Sequence, residues 1–453
     1  MRHASTLAIA TCSALALAPR AEANPLDMYG LGSRSIAMGS AVSADVQDFS
    51  ANYYNPAGLV RGQATRLEAG YGYVWHRLTS NDRDNDVDPA HALVAGVVAP
   101  TRLFGIPFAF GLALSVPDDR LARSRLLNQQ QPRWELYDNR VQRLYFSANL
   151  AIAPVPWLRI GGGFSYIAST RGVIGLTGRI PAASSNNAQL FHTVNADVRA
   201  VYYPQAGIQI DVHRWLTLAV VYRGEFRFRL DLDGQLDLQL VLGRLDDPMA
   251  TAANGQILLN ERAVTAFLPQ QAVFGASFHP NDRLTVVADL TWVNWSRYEN
   301  PTASIDVAVH FDMPPGSENI AFPMVPPSVQ RVPAGFHDTF VPRVGFEYRV
   351  PIGTTAILPL RAGYRYDPSP VPDQTASATN FYDSNRHVAA LGFGLEFPHT
   401  GPTRLSSVAI NVHGDVQFLE RRVILKEDPA DPVGDAILGG HVFNIGATIA
   451  TTF

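Results

Sequence analysis

The sequence contains one cysteine, Cys12, and one lysine, Lys426, among 453 residues. Cys12 lies in an N-terminal segment with the features of a cleaved export signal. The mature chain is therefore expected to have no disulfide and no cysteine-based metal site. The 36 basic and 40 acidic residues give a net charge of -4 and form no basic run. These features exclude the charge footprint of a nucleic-acid-binding protein.

The sequence also lacks the short motifs of common enzymes and metal sites. Its 12 histidines are scattered, and no HExxH, GxSxG, Walker or Rossmann pattern occurs. The glycine run at 161–163 lies inside a predicted strand with no helix after it, so we interpret it as close packing and not as phosphate binding. We therefore predict a protein that is not an enzyme, with no cofactor, no metal and no catalytic residue.

Residues 1–23 predict a secretory signal peptide, with an apolar run from Leu7 to Leu17 and the small-residue cleavage sequence Ala21-Glu22-Ala23. A lipoprotein signal with Cys12 as the lipidated residue is the alternative, but the apolar run continues past Cys12. After this segment no apolar run reaches about 18 residues, the length of a transmembrane helix. An exported chain without such helices can cross a bilayer only as a closed β-barrel.

From Thr65 onward apolar and polar residues alternate, which is typical of strands with two different faces. In the C-terminal run one face consists of Phe443, Ile445, Ala447, Ile449, Thr451 and Phe453. In the segment from Trp215 to Leu230 the charged residues share a face. That face would point to water in a soluble sandwich and into the lumen in a barrel.

About fourteen such segments can be counted, an even number as in bacterial single-chain barrels. The connections alternate between tight turns and long polar loops, the asymmetry expected of periplasmic turns and extracellular loops. The long loops are predicted at 117–139, 173–195, 231–262, 297–338, 368–386 and 420–439. The sequence predicts an all-β fold, in which residues 63–453 form a transmembrane antiparallel β-barrel of about fourteen strands.

Residues 24–62 do not fit this pattern. The stretch from Asp27 to Val60 is rich in Gly, Ser and Ala, has no sustained period, and closes on the turn sequence Asn55-Pro56-Ala57-Gly58. Such a segment cannot form a core of its own, so we interpret it as a hatch that plugs the barrel lumen.

Three segments resemble the FadL/TodX family of outer-membrane transporters for long-chain fatty acids and other hydrophobic compounds. GSRSIAMGSAVSADVQDFSANYYNPAGL is similar to the family's N-terminal hatch, with its Asn-Pro-Ala motif at Asn55, Pro56 and Ala57. Leu268 to Ser296 resembles a family hairpin with Leu-Pro at its entry and Trp-Ser at its exit. Arg361 to Gln374 contains the family's Ser-Pro-Val-Pro sequence. The three segments follow one another in the family's order.

The resemblance implies a fourteen-stranded barrel with a hatch in the outer membrane of a Gram-negative bacterium, and passive uptake of its ligand. Apolar extracellular loops would capture the ligand, which would pass to a deeper pocket and leave sideways where the third strand is kinked beside the hatch. Here the third strand is Ile106 to Val116. Pro107 lacks a ladder donor and Gly111 is a candidate bulge, although Gly111 could instead ease packing of the hatch. The Asn55-Pro56-Ala57 motif is expected near this strand.

Arginines of the predicted strands would face the lumen. Arg159, Arg223 and Arg227 are candidates for contacting a carboxylate head group. Alternatively, they pair with acidic residues such as Glu225 across the barrel interior. No local motif decides between these roles.

The expected ligand is a fatty acid or an aromatic hydrocarbon. The other expected partners are outer-membrane lipid and lipopolysaccharide, with no nucleic acid, and the chain is expected to be a monomer. Two alternative functions stay open. An outer-membrane lipid hydrolase would need a serine, a histidine and a polar residue that converge, and a general diffusion porin would conduct ions without a plug.

Overall fold

A computed structural model describes residues 25–119, 130–138, 144–179, 189–242, 251–301, 304–312, 331–376, 378–398 and 407–453. The predicted signal peptide, residues 1–23, lies outside the described residues. No helix in the described ranges is long and apolar enough to span a membrane.

Fourteen antiparallel strands form one closed sheet. They are β1 Arg66–Ser80, β2 Ala90–Leu103, β3 Ile106–Pro117, β4 Tyr145–Val155, β5 Leu158–Arg179, β6 Gln189–His213, β7 Leu216–Arg223 continued by Phe226–Leu242, β8 Thr251–Leu268 continued by Gln271–Asn281, β9 Leu284–Val293 continued by Ser304–Asp312, β10 Thr339–Ile352, β11 Ala356–Asp367, β12 Arg386–Phe397, β13 Ser407–Ile424 and β14 Ala436–Thr452. A two-residue strand, Arg83–Asp84, pairs with the end of β1.

The barrel closes between its first and last strands. Each strand pairs with the next, and β14 pairs with β1 in an unbroken register from Arg66 opposite Thr452 to Ser80 opposite Leu438. Closure removes the unpaired edges of an open sheet, which a bilayer would not tolerate. The prediction of an all-β barrel with about fourteen strands is confirmed.

The two faces of the wall differ as the alternation predicts. In β1, Glu68 and Val74 are buried toward the lumen, whereas Leu67 and Trp75 are 43% and 40% exposed on the outer surface. Leu391 on β12 is 68% exposed. Large apolar side chains on the outer face are what a lipid-facing barrel requires.

Three of the predicted long loops contain paired strand, so the loop prediction is wrong there. The strand segments are 173–179 and 189–195, 231–242 and 251–262, and 304–312. The strand pattern is present in the sequence, because Leu236, Leu238 and Leu240 alternate with polar residues. The acidic residues among them made the segment resemble a polar loop. These hairpins extend the barrel wall beyond the long-loop end, which is the extracellular side.

The residues before β1 form short helices inside the barrel. These are α1 Pro25–Tyr29, α2 Ser33–Ala37, α3 Ala51–Tyr54 and a 3₁₀ helix Pro56–Arg61. Helices this short are not stable alone, so packing against the barrel must hold them. We call residues 25–61 the hatch, and we keep 24–62 for the hatch and 63–453 for the barrel as the proposed domain boundaries. The connections contain α4 Glu135–Asp138 and a 3₁₀ turn Trp295–Arg297.

Candidate functional site

The hatch packs against glycines of the barrel wall, and we call this set of glycines the hatch seat. On eight strands an inward-facing glycine lies against the hatch, and a Cβ at that position would overlap hatch atoms. These glycines are Gly96, Gly111, Gly161, Gly207, Gly275, Gly345, Gly363 and Gly392. The wall therefore lacks side chains where the hatch approaches it most closely, with hatch backbone facing Gly161, Gly345 and Gly363 and hatch side chains facing the other five.

The Asn55-Pro56-Ala57 motif organises the hatch turn. The Asn55 side-chain oxygen accepts a hydrogen bond from the Ala57 amide at 3.0 Å. Its amide nitrogen donates to the Ser43 carbonyl at 2.8 Å and to the Ile208 carbonyl of β6 at 3.2 Å. Asn55 thus caps the 3₁₀ helix and also ties it to the wall.

The motif itself packs against the fifth and sixth strands. Pro56 and Ala57 face Gly161 of β5, and Asn55 faces Gly207 of β6. Asn52 and Leu59, which flank the motif, lie against Gly111 of the third strand, so the placement of the motif near that strand stays a prediction. The close packing predicted for the 161–163 glycine run is present at Gly161.

Pro107 and Gly111 do not interrupt the third strand. Pairing of β3 with β2 runs unbroken from Leu103 opposite Ile106 to Ala92 opposite Pro117. Pairing with β4 also passes through Gly111 without a shift. A Cβ on Gly111 would lie 2.5 Å from Leu59 and 2.6 Å from Asn52 of the hatch, so this glycine accommodates the hatch. A kink at these two residues stays a prediction.

The three candidate arginines are all engaged with other protein groups. Arg159 forms an ion pair with Asp211 at 2.5 Å, and Arg227 pairs with Glu225 at 3.2 Å and also with Glu299. These contacts favour the alternative of pairing within the barrel interior. A role in binding a head group stays a prediction.

Arg223 holds the end of a hatch helix. It donates to the carbonyls of Tyr53 at 3.0 Å and Tyr54 at 3.4 Å, and its guanidinium lies 4.4 Å from the Tyr53 ring centre. The Asn52 carbonyl accepts from Gln205 of β6. Carbonyls at a helix C-terminus lack intrahelical partners and attract cations. The wall therefore caps α3.

An ion network ties the other end of the hatch to the wall. Arg34 of α2 bridges Asp45 of the hatch at 2.6 Å and Glu347 of β10 at 3.1 Å, and Glu347 also accepts from Arg361 at 2.6 Å. Burial alone would raise the pKa of the Asp45 carboxyl. The Arg34 charge and a hydrogen bond from His279 oppose it and hold that pKa well below its usual range. The stabilisation from a lowered carboxyl pKa is lost only when pH falls through the lowered value, so the pair persists in mild acid.

A cavity of about 70 Å³ lies between the hatch and strands β13, β14 and β1 to β3. Its lining is mainly apolar. Apolar lining residues include Leu26, Ile36, Val74, Ala92 and Val94, and polar lining residues include Ser33, Ser115, His413, Asn444 and Thr448. We call this space the hatch cavity.

The hatch cavity reaches the outer face of the wall. Tyr71 and His91, whose side chains belong to the outer surface, line it together with Pro117 at the end of β3. Pro117 is the last β3 residue paired with β2, so His91 extends past the end of β3. Tyr71 donates to Asp118 at 2.8 Å, and His91 pairs with Asp118. These three polar residues border the hatch cavity where it reaches the outer face of the wall.

The same place contains three residues of types that can bind a cation. Ligand atoms of His91, Asp118 and Asp119 lie within 4.8 Å of one another. The sequence did not predict this group, because the three residues come from two strand ends. The pairing of His91 with Asp118 and Tyr71 accounts for their proximity without an ion.

A second cavity of about 60 Å³ has a different lining. It lies between Asp27 and Met28 of the hatch and the extracellular halves of β8 to β12. Its charged lining consists of Asp27, Arg343, Asp367, Asp383 and Arg386, beside apolar residues that include Leu136, Val293 and Trp295.

An aromatic cap covers the hatch on the extracellular side. It comprises Trp134, Tyr137, Tyr298, Phe336 and Phe381. Its tightest contact is a stacked pair, Tyr298 and Phe336, with ring centres 4.2 Å apart. The cap belongs to one buried cluster with Tyr29, Val74 and Ala90, which also line the hatch cavity. The cap and the cavity are thus in continuous apolar contact.

A groove of about 660 Å³ lies on the lipid-facing surface of the same wall. It crosses β13, β14 and β1 to β4 and is lined almost wholly by apolar groups, among them Leu67, Ala69, Ala95, Val97 and Leu114. Gly96 lines this groove, and its lumen side touches Phe49 of the hatch. At this point the wall between hatch and lipid is one backbone thick.

Comparisons with known proteins agree with this architecture. Residues 9–403 match the family model described as outer membrane protein transport protein (OMPP1/FadL/TodX). Alkane uptake protein A of Marinobacter nauticus is 21% identical over 423 residues, which cover 88% of this chain and 85% of that protein.

Solved structures show the same fold at low identity. A FadL homologue of Pseudomonas aeruginosa aligns with a TM-score of 0.55 and 16% identity, over 93% of this chain and 98% of the homologue. The toluene transporter TodX of P. putida aligns with a TM-score of 0.51 and 15% identity, over 94% of this chain and 99% of TodX. The family match over most of the sequence, on a closed barrel with a seated hatch, shows that the chain belongs to the OMPP1/FadL/TodX family of outer membrane transport proteins.

Proposed function

We propose that the chain carries hydrophobic compounds passively across the outer membrane and releases them sideways into the bilayer. The observation that carries this proposal is the hatch cavity, which is bordered both by lumen residues such as Val74 and by the outer-surface residues Tyr71 and His91. A ligand in this cavity lies beside the barrel wall, with the hatch between it and the periplasmic end of the lumen.

The proposed path starts at the aromatic cap. A ligand that enters past the cap meets Tyr29 and Val74, which belong both to the cap cluster and to the cavity lining. The loops that would capture it include 121–127 and much of 312–333. Residues 120–129 and 313–330 lie outside the described residues, so loop capture rests on the family resemblance.

The exit is proposed beside the extracellular end of β3, between Pro117 and His91. This position differs from the kink expected at Pro107 and Gly111, where pairing is unbroken. Lateral exit is favoured energetically, since each buried CH₂ contributes about 0.8 kcal/mol. A ligand that crossed a water-filled lumen would lose that contribution, whereas the apolar groove on the outer wall preserves it.

Uptake and conductance measured on one preparation would test this function. Cells that lack their own hydrophobic-compound transporters would express the chain, and initial uptake rates of toluene, dodecane and dodecanoate would be compared with empty-vector cells. We expect at least about tenfold faster uptake of one or more of these compounds, with low ion conductance in planar bilayers. The proposal fails if no compound is taken up faster, or if the intact chain conducts ions as an open porin does.

We also propose that the chain acts as a monomer in contact with outer-membrane lipid and lipopolysaccharide. The β1–β14 pairing leaves no strand edge that a second copy would need to cover. The outer face presents exposed apolar residues such as Leu93 and Phe274. A mass measurement in lipid nanodiscs should find one chain per disc at saturating lipid, and a stable dimer would contradict the proposal.

A further inference from the structure

Three buried polar side chains around the hatch cavity lack well-formed hydrogen bonds to the described residues. They are Ser33 of α2, His413 of β13 and Thr448 of β14, which are 1%, 4% and 3% exposed. Among the described residues the Ser33 hydroxyl has no partner, and His413 and Thr448 form no hydrogen bond of good geometry, although Asn444 lies beside His413 and Glu68 lies beside Thr448. All three residues line the same cavity, although they come from separate parts of the chain.

Unpaired groups of this kind are costly unless something binds them. A buried donor or acceptor without a partner destabilises a protein by roughly 1–3 kcal/mol. One water needs about 10–15 Å³, and the cavity provides about 70 Å³. There is therefore room beside these groups for more than a single water.

No permanently charged side chain of the described residues lines the hatch cavity. Its described lining includes no arginine, lysine, aspartate or glutamate. A carboxylate placed there would be desolvated without a cation to compensate it, which is strongly unfavourable. The second cavity is no better suited to a carboxylate, because three carboxyl groups line it beside two arginines.

An entirely apolar ligand does not complement the hatch cavity either. It would cover Ser33, His413 and Thr448 and exclude the water that could otherwise bind them. Sites built to hydrogen-bond a hydroxyl discriminate strongly against analogues that lack it, for this reason.

We propose that the hatch cavity takes an uncharged hydrophobic molecule that carries one hydroxyl group, held by Ser33, His413 and Thr448. This inference rests on the proposed transport function and specifies its ligand class. The hydroxyl can donate to a ring nitrogen of His413 and accept from Ser33 or Thr448. The hydrocarbon part then lies against Leu26, Ile36 and Val94.

Three ligands with one carbon skeleton would test this inference. Benzyl alcohol, toluene and benzoate differ in their hydroxyl, methyl and carboxylate groups. Binding to the full chain in nanodiscs would be measured by equilibrium dialysis, with empty nanodiscs subtracted for partition into lipid. We expect benzyl alcohol to bind at least about tenfold more tightly than toluene or benzoate, a difference of about 1.4 kcal/mol.

A matched pair of variants assigns the effect to this cavity. Thr448→Val removes the hydroxyl at nearly constant volume, and we expect it to weaken benzyl alcohol binding about fivefold or more while toluene binding is kept. Thr291→Val is the control, because the Thr291 hydroxyl on β9 is buried with no partner among the described residues, and Thr291 does not line the hatch cavity. It should leave the preference for the alcohol unchanged.

Several outcomes would overturn the inference. Equal affinity for benzyl alcohol and toluene would mean that the three side chains bind water only. Benzoate binding as tight as that of the alcohol would contradict an uncharged ligand, and equal effects of the two threonine variants would remove the site from this cavity. If toluene uptake persists in any of these cases, the inference fails and the transport function stands. If no hydrophobic compound is taken up, both fail.

Discussion

Replacing Gly161 by valine is expected to unseat the hatch and raise the ion conductance of the barrel at least about tenfold. The new Cβ would overlap the backbone of Pro56 and Ala57, which cannot move aside as a flexible side chain can. Overpacking of this kind typically costs about 1–3 kcal/mol, and 1.4 kcal/mol changes an equilibrium about tenfold. The strand itself should tolerate valine, which favours strands more than glycine does.

The conductance measurement needs a control for the barrel and a second position for the hatch. Gly414→Val introduces the same change on β13, where the nearest atom to an added Cβ is 3.8 Å away, and should leave conductance low. Gly363→Val overlaps Gly39 at another part of the hatch and should act like Gly161→Val. Circular dichroism would show whether Gly161→Val and Gly363→Val form folded β-barrels. If both are folded and still conduct no more ions than the wild-type protein, the hatch does not block the lumen.

Membership of the family confirms the outer-membrane location and the function of a transport protein rather than an enzyme. The barrel could be predicted from the sequence because its signal is local. Each strand alternates apolar and polar residues, and each turn has its own turn residues. The count of about fourteen strands survived even where loop boundaries were wrong, since strand extensions lengthen a hairpin without adding a strand.

The hatch seat could not be predicted, because its contacts join residues far apart in sequence. Arg34 meets Glu347, and Asn55 meets the carbonyl of Ile208. No spacing rule relates such positions. The sequence gives one partial indication of this packing, since Gly161 belongs to a glycine run that suggests close packing. Single glycines such as Gly207 and Gly392 gave no comparable signal.

The hatch cavity was out of reach for a different reason. Cavities arise where packing is incomplete, and neither Ser33 nor Thr448 differs in sequence from a hydrogen-bonded residue. The sequence favours arginines as ligand-binding candidates because charged residues stand out in an apolar strand. In the structure Arg159 and Arg227 pair with acidic neighbours. Uncharged side chains line the cavity instead.

Filling the hatch cavity should stop transport without disturbing the fold. Gly72 of β1 lines the cavity, and an added Cβ there has no atom of the described residues within 4 Å. In Gly72→Phe the ring would occupy the space proposed for the ligand, and phenylalanine is favoured over glycine in strands. We expect the initial uptake rate of hydrophobic compounds to fall at least about tenfold, because most of the ligand's buried apolar contact would be lost.

The uptake rate of Gly72→Phe, measured beside Gly439→Phe, tests the central claim most directly. An added Cβ on Gly439 of β14 likewise has no neighbour within 4 Å in the described part of the chain, but this glycine does not line the cavity. Both variants would be expressed in the same cells, brought to equal surface amounts and given the compound that the wild-type chain takes up fastest. The account predicts near wild-type uptake for Gly439→Phe and at least about a tenfold loss for Gly72→Phe. Equal uptake by the two variants would show that the ligand does not pass through the hatch cavity.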